Sequence, residues 1–244
     1  MKLLLYMLPR LGVPLQAVLL WRLLRRDLRF KYPYFTIFVL FNFARDLSLF
    51  PIVWYKPAWF AWAYWHTEII SLFLRFPVIW EFFHRVFPKR SLLHEIAWKS
   101  LITVEVVVLP AVLWMGSAQS SSVRTFHAYV SPLFEQYLSL AQALLLLAPV
   151  AVALYYHIQL GRNMRGLGLG LGMYLCLCSI NMANVQIFPS FFAWWRLLSP
   201  ATFFFTLVVW TWAFWDYAPS PVSFRTTHLA AVNKNTNFEW SRNN

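Results

Sequence analysis

The feature that most limits what this chain can fold into is a succession of long apolar runs, each near the ~20 residues a helix needs to cross a hydrocarbon layer. Seven can be drawn, at 3–24, 34–54, 58–83, 92–115, 129–156, 166–188 and 192–215. An ordinary soluble domain is about 25% charged and about half apolar. Here charged residues make up 12% of the 244 residues, apolar ones 60% and aromatic ones 20%. A soluble fold of this length cannot cover so much apolar surface, whereas a bilayer accommodates it. The expectation is an all-α membrane protein, a seven-transmembrane helical bundle over 1–218, followed by a short polar tail, 219–244, expected to be disordered. The third and fifth runs are long enough to tilt. The first is interrupted in its outer half by Pro9, Arg10 and Pro14.

Charge between the runs sets the expected orientation. Loops after the first, third and fifth runs, together with the tail, carry thirteen lysines and arginines, and the opposite side carries five. Basic residues are enriched on the cytoplasmic side, so the N-terminus is expected outside and the C-terminus in the cytoplasm. A net charge of +12 would suggest nucleic acid in a soluble protein. These cations instead sit between apolar runs and form no basic face interleaved with exposed aromatics. The expected partner is the lipid bilayer, with no nucleic acid. The first inner loop, with Arg25, Arg26, Arg29 and Lys31, is the candidate surface for lipid or for a cytoplasmic or membrane partner protein. Trp54, Tyr55 and Trp59 at one boundary, and Trp212, Trp215 and Tyr217 at another, sit where headgroups belong. Lys2 and the leucines after it resemble the start of a signal peptide. Yet the arginines at the far end of the run hold that end in the cytoplasm, so the run reads as a retained span.

Small residues and prolines shape the helices. The sixth run opens with Gly166, Gly168, Gly170 and Gly172, two Gly-x-x-x-Gly pairs on different faces. Glycine admits close backbone approach, so this helix is expected to be gripped on two sides. No strand precedes the motif and no Gly-Lys-Ser/Thr follows, which argues against a phosphate loop. Pro14, Pro51, Pro77, Pro110, Pro149 and Pro200 interrupt the runs. Their kinks either open space for a cavity or reflect the general tolerance of membrane helices for proline. Cys176 and Cys178 are two apart on one helix and cannot pair with each other.

Charges inside the runs are the candidate site, because each costs roughly 2.5–3.5 kcal/mol on insertion scales unless partnered or hydrated. Arg45 and Asp46 lie at the centre of the second run, with Asn42 one turn away. Glu68 and Arg75 share a face of the third, with Tyr64 one turn from Glu68. Glu95 and Lys99 form an i,i+4 pair in the fourth, and Glu105 sits near its centre. Glu135, Gln136, Ser139 and Gln142 occupy the outer half of the fifth, at the depth of Asn181 and Asn184 on the sixth. One reading makes these mutually neutralising pairs that fix helix register. The other makes Arg45, Asp46, Glu68, Arg75, Glu105, Glu135 and Asn181 a polar pocket for a ligand, proton or cation, since acids outnumber obvious partners there. Histidines show no metal-ligand spacing, and His66 is the one interior candidate. No metal and no cofactor is expected.

Family chemistry narrows little. The last run holds no lysine for a retinal Schiff base, the histidine set of seven-helix metal amidases is missing, and no repeat relates the first and last three runs. The pieces Tyr32-Pro33 opening the second run, Trp65 with Glu68 in the third, and Glu81 to Phe87 at its inner end resemble a group of uncharacterised bacterial seven-helix inner-membrane proteins. That resemblance covers the second to sixth runs. It implies the same fold and a multi-pass place in a bacterial inner membrane, and brings no activity. Three functions stay open: a receptor-like bundle binding a small or amphipathic molecule, a proton- or cation-coupled transporter using Glu68, Glu105 and Arg45, and an intramembrane enzyme. The last trails because no nucleophile–base pair or metal set is present.

Overall fold

A computed structural model describes residues 2–25, 28–87, 123–155 and 160–216, with positions 95, 99, 102, 103, 106, 107, 110, 111 and 114 between them. Its regular structure is helical, with no strand among the described residues. In chain order the helices are α1 (Lys2–Arg25), the short α2 (Leu28–Lys31), α3 (Pro33–Tyr55), α4 (Pro57–Val86), α5 (Val123–Tyr155), α6 (Arg162–Ile187), a 3-10 turn (Pro189–Phe191) and α7 (Phe192–Ala213). Six of the seven apolar runs correspond to these helices. The run at 92–115 falls outside the described residues except at the scattered positions, which are helical and exposed. Glu105, Arg26 and the 219–244 tail also lie outside them.

Two helix starts follow from proline. Pro33 and Pro57 open α3 and α4, where a missing N–H costs nothing and a fixed φ is already helical. Lys56 alone joins α3 to α4, its N–H bonding the carbonyl of Ile52 while it precedes Pro57. Two details depart from the apolar runs. The link between the first two runs contains a helix, α2, pinned by the fully buried Leu28. And α6 begins a turn before Gly166, at Arg162, because Asn163 and Met164 are buried and belong to the packed helix despite the polar local sequence.

The helices close into a ring. Each of α1, α3, α4, α5 and α6 packs on the next, and α7 returns to α1; α4 also touches α6. Thus α4 and α5 are direct neighbours although 36 positions separate Val86 from Val123. Three helical segments, Pro33–Tyr55, Glu135–Tyr155 and Arg162–Ile187, are long and apolar enough to cross a membrane. α1, α4 and α7 match them in length, with 24, 30 and 22 residues, but α4 carries Glu68, Arg75 and Glu81 within its span. Exposure is inverted relative to a water-soluble protein: Arg75 is 0% exposed and Glu68 3%, while Leu154 is 71% and Leu169 63%. Charges inward and leucines outward is the arrangement a hydrocarbon surround favours.

The ring interior has two layers. Toward the end that carries Arg25, Arg85 and Arg162, aromatic side chains fill it. Phe35 stacks on Phe214 at 4.9 Å and meets the edge of Trp210 at 5.0 Å, and Tyr32 meets Phe214 at 5.1 Å. Such rings bury large apolar areas in defined geometry. The glycines of α6 make room for them. A Cβ on Gly166 would lie 2.0 Å from Cβ of Ala213, and one on Gly170 2.4 Å from Nε1 of Trp210, so this face closes on α7. Gly168 faces Phe82 of α4 and Gly172 faces Leu146 of α5. The helix is gripped on two sides, as the paired glycine spacing implies.

Candidate functional site

The second layer is polar. It starts about 15 Å of helix rise beyond Phe35, at Arg45, the tenth residue on. Glu68 is its hub. Its Oε2 accepts from Nη1 of Arg45 at 2.5 Å, and its Oε1 accepts from Nη2 of Arg75 at 2.6 Å. Arg45 also donates through Nε to Oδ1 of Asp46 at 3.2 Å, and Oδ2 of Asp46 accepts from Nε2 of Gln16 at 2.7 Å. On the other side, Arg75 donates to the hydroxyls of Ser139 at 3.1 Å and Tyr174 at 3.0 Å, and its guanidinium lies 4.7 Å from the Tyr174 ring centroid. One continuous chain of hydrogen bonds therefore links α1, α3, α4, α5 and α6. Asn42 adds a parallel link, its Oδ1 accepting from Ser71 at 3.1 Å.

Local sequence explains how the pieces meet. Glu68 and Arg75 are seven residues, two turns, apart, so both point into the ring from one stripe of α4. Pro77 lacks the N–H that would bond the carbonyl of Phe73. At the neighbouring carbonyl, Leu72 accepts from the amide of Gln142 at 2.9 Å, tying α5 to the bend. Arg45 and Asp46 are adjacent in sequence and so diverge by about 100° around α3. That divergence lets Asp46 reach back to Gln16 of α1 while Arg45 reaches forward to Glu68.

Glu135 completes the charge count. It is buried on α5, one turn before Ser139, and lies within electrostatic reach of Glu68, Arg75 and Arg45. Its Oε2 has no hydrogen-bond partner among the described residues. Asp46, Glu68 and Glu135 thus share two guanidiniums, and one carboxylate lacks a full countercharge. Ion pairs of this kind contribute little net stability, because desolvation offsets attraction, but loss of one partner is costly.

The expected site residues divide accordingly. Arg45, Asp46, Glu68 and Arg75 are joined directly, with Glu135 beside them. Asn181 is buried on α6, two turns beyond Tyr174, and makes no hydrogen bond among the described residues. Glu95 and Lys99 pair with each other at 2.7 Å, both exposed and apart from the belt. His66 bonds the carbonyl of Trp62 in its own helix at 2.8 Å and packs on that indole. Among the described residues no three potential metal ligands converge. Gln16 and Tyr174 belong to the belt without having stood out in the sequence: a lone amide in the first apolar run and a tyrosine in the sixth carry a weak signal.

A second polar cluster sits at the basic end. Oε2 of Glu81 accepts the backbone N–H of Phe35 at 3.0 Å, so a side chain of α4 caps the start of α3. Arg85 lies 3.6 Å from the same carboxylate and stacks over Tyr32 at 4.2 Å. Tyr32 and the Glu81–Arg85 turn of α4 therefore meet in space. Asn163 closes the ring at this end, donating to the carbonyls of Ala213 at 2.8 Å and Asp216 at 3.2 Å at the end of α7. Comparison with protein-family models, curated proteins and solved structures finds no match to this chain.

Proposed function

We propose that the chain is a receptor-like, seven-span protein of the bacterial inner membrane, with its N-terminus outside and its C-terminus cytoplasmic. Its buried belt around Glu68 takes a small or amphipathic ligand bearing a cationic group. The observation that carries this reading is the pairing of a surplus carboxylate, Glu135, with a hydrogen-bond chain that joins five helices. A buried carboxylate needs a counterion, and an ammonium group would supply it. Because Glu68 bridges Arg45 and Arg75, a cation that competes for it redistributes bonds on α1, α3, α4, α5 and α6 together. That is how occupancy of the outer half would alter the basic end, where Arg25, Arg29 and Lys31 stand exposed. Output passes to a separate partner that docks on this exposed basic surface.

Purified protein, heated in detergent with methylammonium, a diamine and a quaternary ammonium, tests the reading. At least one amine is expected to raise the melting temperature of the wild type and to leave Glu135→Gln unchanged. No stabilisation by any of them, or equal stabilisation of the variant, refutes an amine site. The transporter reading draws support from the same surplus acid. It predicts that vesicles holding the wild type, but not Glu68→Gln, dissipate an imposed proton gradient; tight vesicles in both cases exclude it.

A further inference from the structure

At the basic end, α1 and α7 part around a groove of about 540 Å³, which also takes in Arg162 from the start of α6. Its lining changes character along its length. Leu15 and Val208 form one end; Thr211, Trp215 and Asp216 form the other. Val208 lies on α7 and Trp215 two residues past its end at Ala213. The groove thus runs from an apolar end to a polar one, flanked by Trp212 and Trp215, both exposed. Exposed indoles at a helix end mark the headgroup level of a bilayer.

The polar end is cationic. The Arg22 guanidinium lies 3.7 Å over the ring of Trp215, and Arg162 donates through Nη2 to the carbonyl of Asp216 at 2.8 Å. The carboxylate of Asp216 is 3.7 Å from the same nitrogen and 56% exposed. Two guanidiniums against one solvated carboxylate leave a positive surplus. The protein also leaves polar capacity there unused: Nε of Arg22, Nε of Arg162 and Oγ1 of Thr211 are buried without a hydrogen-bond partner among the described residues.

We infer that this groove seats an anionic phospholipid, its phosphate against Arg22, Arg162 and Thr211 and the start of an acyl chain against Leu15 and Val208. A phosphate ester with a hydrocarbon tail matches both halves of the lining, whereas a free phosphate matches the polar end alone. Guanidinium geometry suits phosphate oxygens. This site is separate from the belt around Glu68 and does not depend on what that belt binds.

Native mass spectrometry of the full chain, released from detergent after addition of phosphatidylglycerol or phosphatidylcholine, tests the proposal. Retained phosphatidylglycerol is expected, with little phosphatidylcholine. The double variant Arg22→Gln/Arg162→Gln should weaken phosphatidylglycerol binding by about thirtyfold, the value two such cations carry toward an anionic lipid. Arg25→Gln/Arg29→Gln, which removes charge from the exposed first loop, should leave the retained lipid in place. Val208→Trp keeps every charge and fills the apolar end; it too should displace the lipid, and it decides the matter if the arginine variant does not fold. Equal retention of the two lipids, loss only in the first-loop variant, or full retention in Val208→Trp overturns the proposal. Complete displacement by millimolar inorganic phosphate overturns the lipid source and identifies a soluble anion.

Discussion

The two layers of the ring interior solve the same problem, filling the space between helices, by opposite means. The aromatic layer around Phe35, Trp210 and Phe214 is held by shape: small glycines on α6 receive large rings from α7 and α4. The belt around Glu68 is held by matched hydrogen bonds across five helices. Shape tolerates conservative change in proportion to volume, whereas a charge network fails when its balance is broken. The first layer therefore serves as a fixed frame, and the second is the part that the proposed cationic ligand would rearrange.

That contrast can be broken or sharpened by substitution, and the largest effect falls in the belt. Arg75→Met leaves Glu68 with one partner and takes from Ser139 and Tyr174 the guanidinium they share, and should cost about 3–5 kcal/mol in detergent unfolding. Adding Glu68→Met should recover part of that loss, because the double variant returns the belt to its original balance of acids and guanidiniums. A double variant as unstable as the single would show that shape, not charge balance, governs this layer. In the frame, Gly166→Ala places a Cβ 2.0 Å from Cβ of Ala213 and close to its backbone. A loss of about 1–3 kcal/mol or more is expected, read as a lowered unfolding midpoint.

Smaller effects follow at the margins. Glu81→Ala removes the carboxylate that caps α3 through Phe35 and should cost about 0.5–2 kcal/mol, as loss of a helix cap does elsewhere. If unfolding is unchanged, the contact is incidental. At the least sensitive position, Gly172→Ala meets Leu146 at an ordinary 3.6 Å. Relief of glycine's entropy cost should then stabilise the protein by up to about 1 kcal/mol. Destabilisation there would mean that α5 and α6 pack more tightly than their geometry indicates.

How far the fold is legible in the sequence differs between the layers in the same way. Helix positions follow from apolar run length and from prolines at the first helical residue, so α3 and α4 lie where composition places them. The belt is half legible. Glu68 and Arg75, two turns apart on one helix, declare their pairing by periodicity alone. Arg45 reaching Glu68 on the next helix, and Gln16 reaching Asp46 across 30 residues, depend on which helices become neighbours. Nothing local encodes that. Asn181 shows the limit from the other side: it shares a stripe of α6 with Tyr174, two turns away, yet Tyr174, with the longer side chain, is the residue that reaches Arg75. Glu81 is hidden for a related reason, since a carboxylate capping another helix looks the same in sequence as one facing headgroups.

The central claim, that a surplus carboxylate in the belt awaits a cationic partner, is tested most directly by infrared difference spectroscopy of the reconstituted protein with and without an ammonium ligand. The account predicts a protonated-carboxyl band that disappears when an amine binds and is absent from Glu135→Gln, while Glu81→Gln leaves it in place. A spectrum in which no carboxyl band responds to any amine, or one in which the responding band survives in Glu135→Gln, contradicts it.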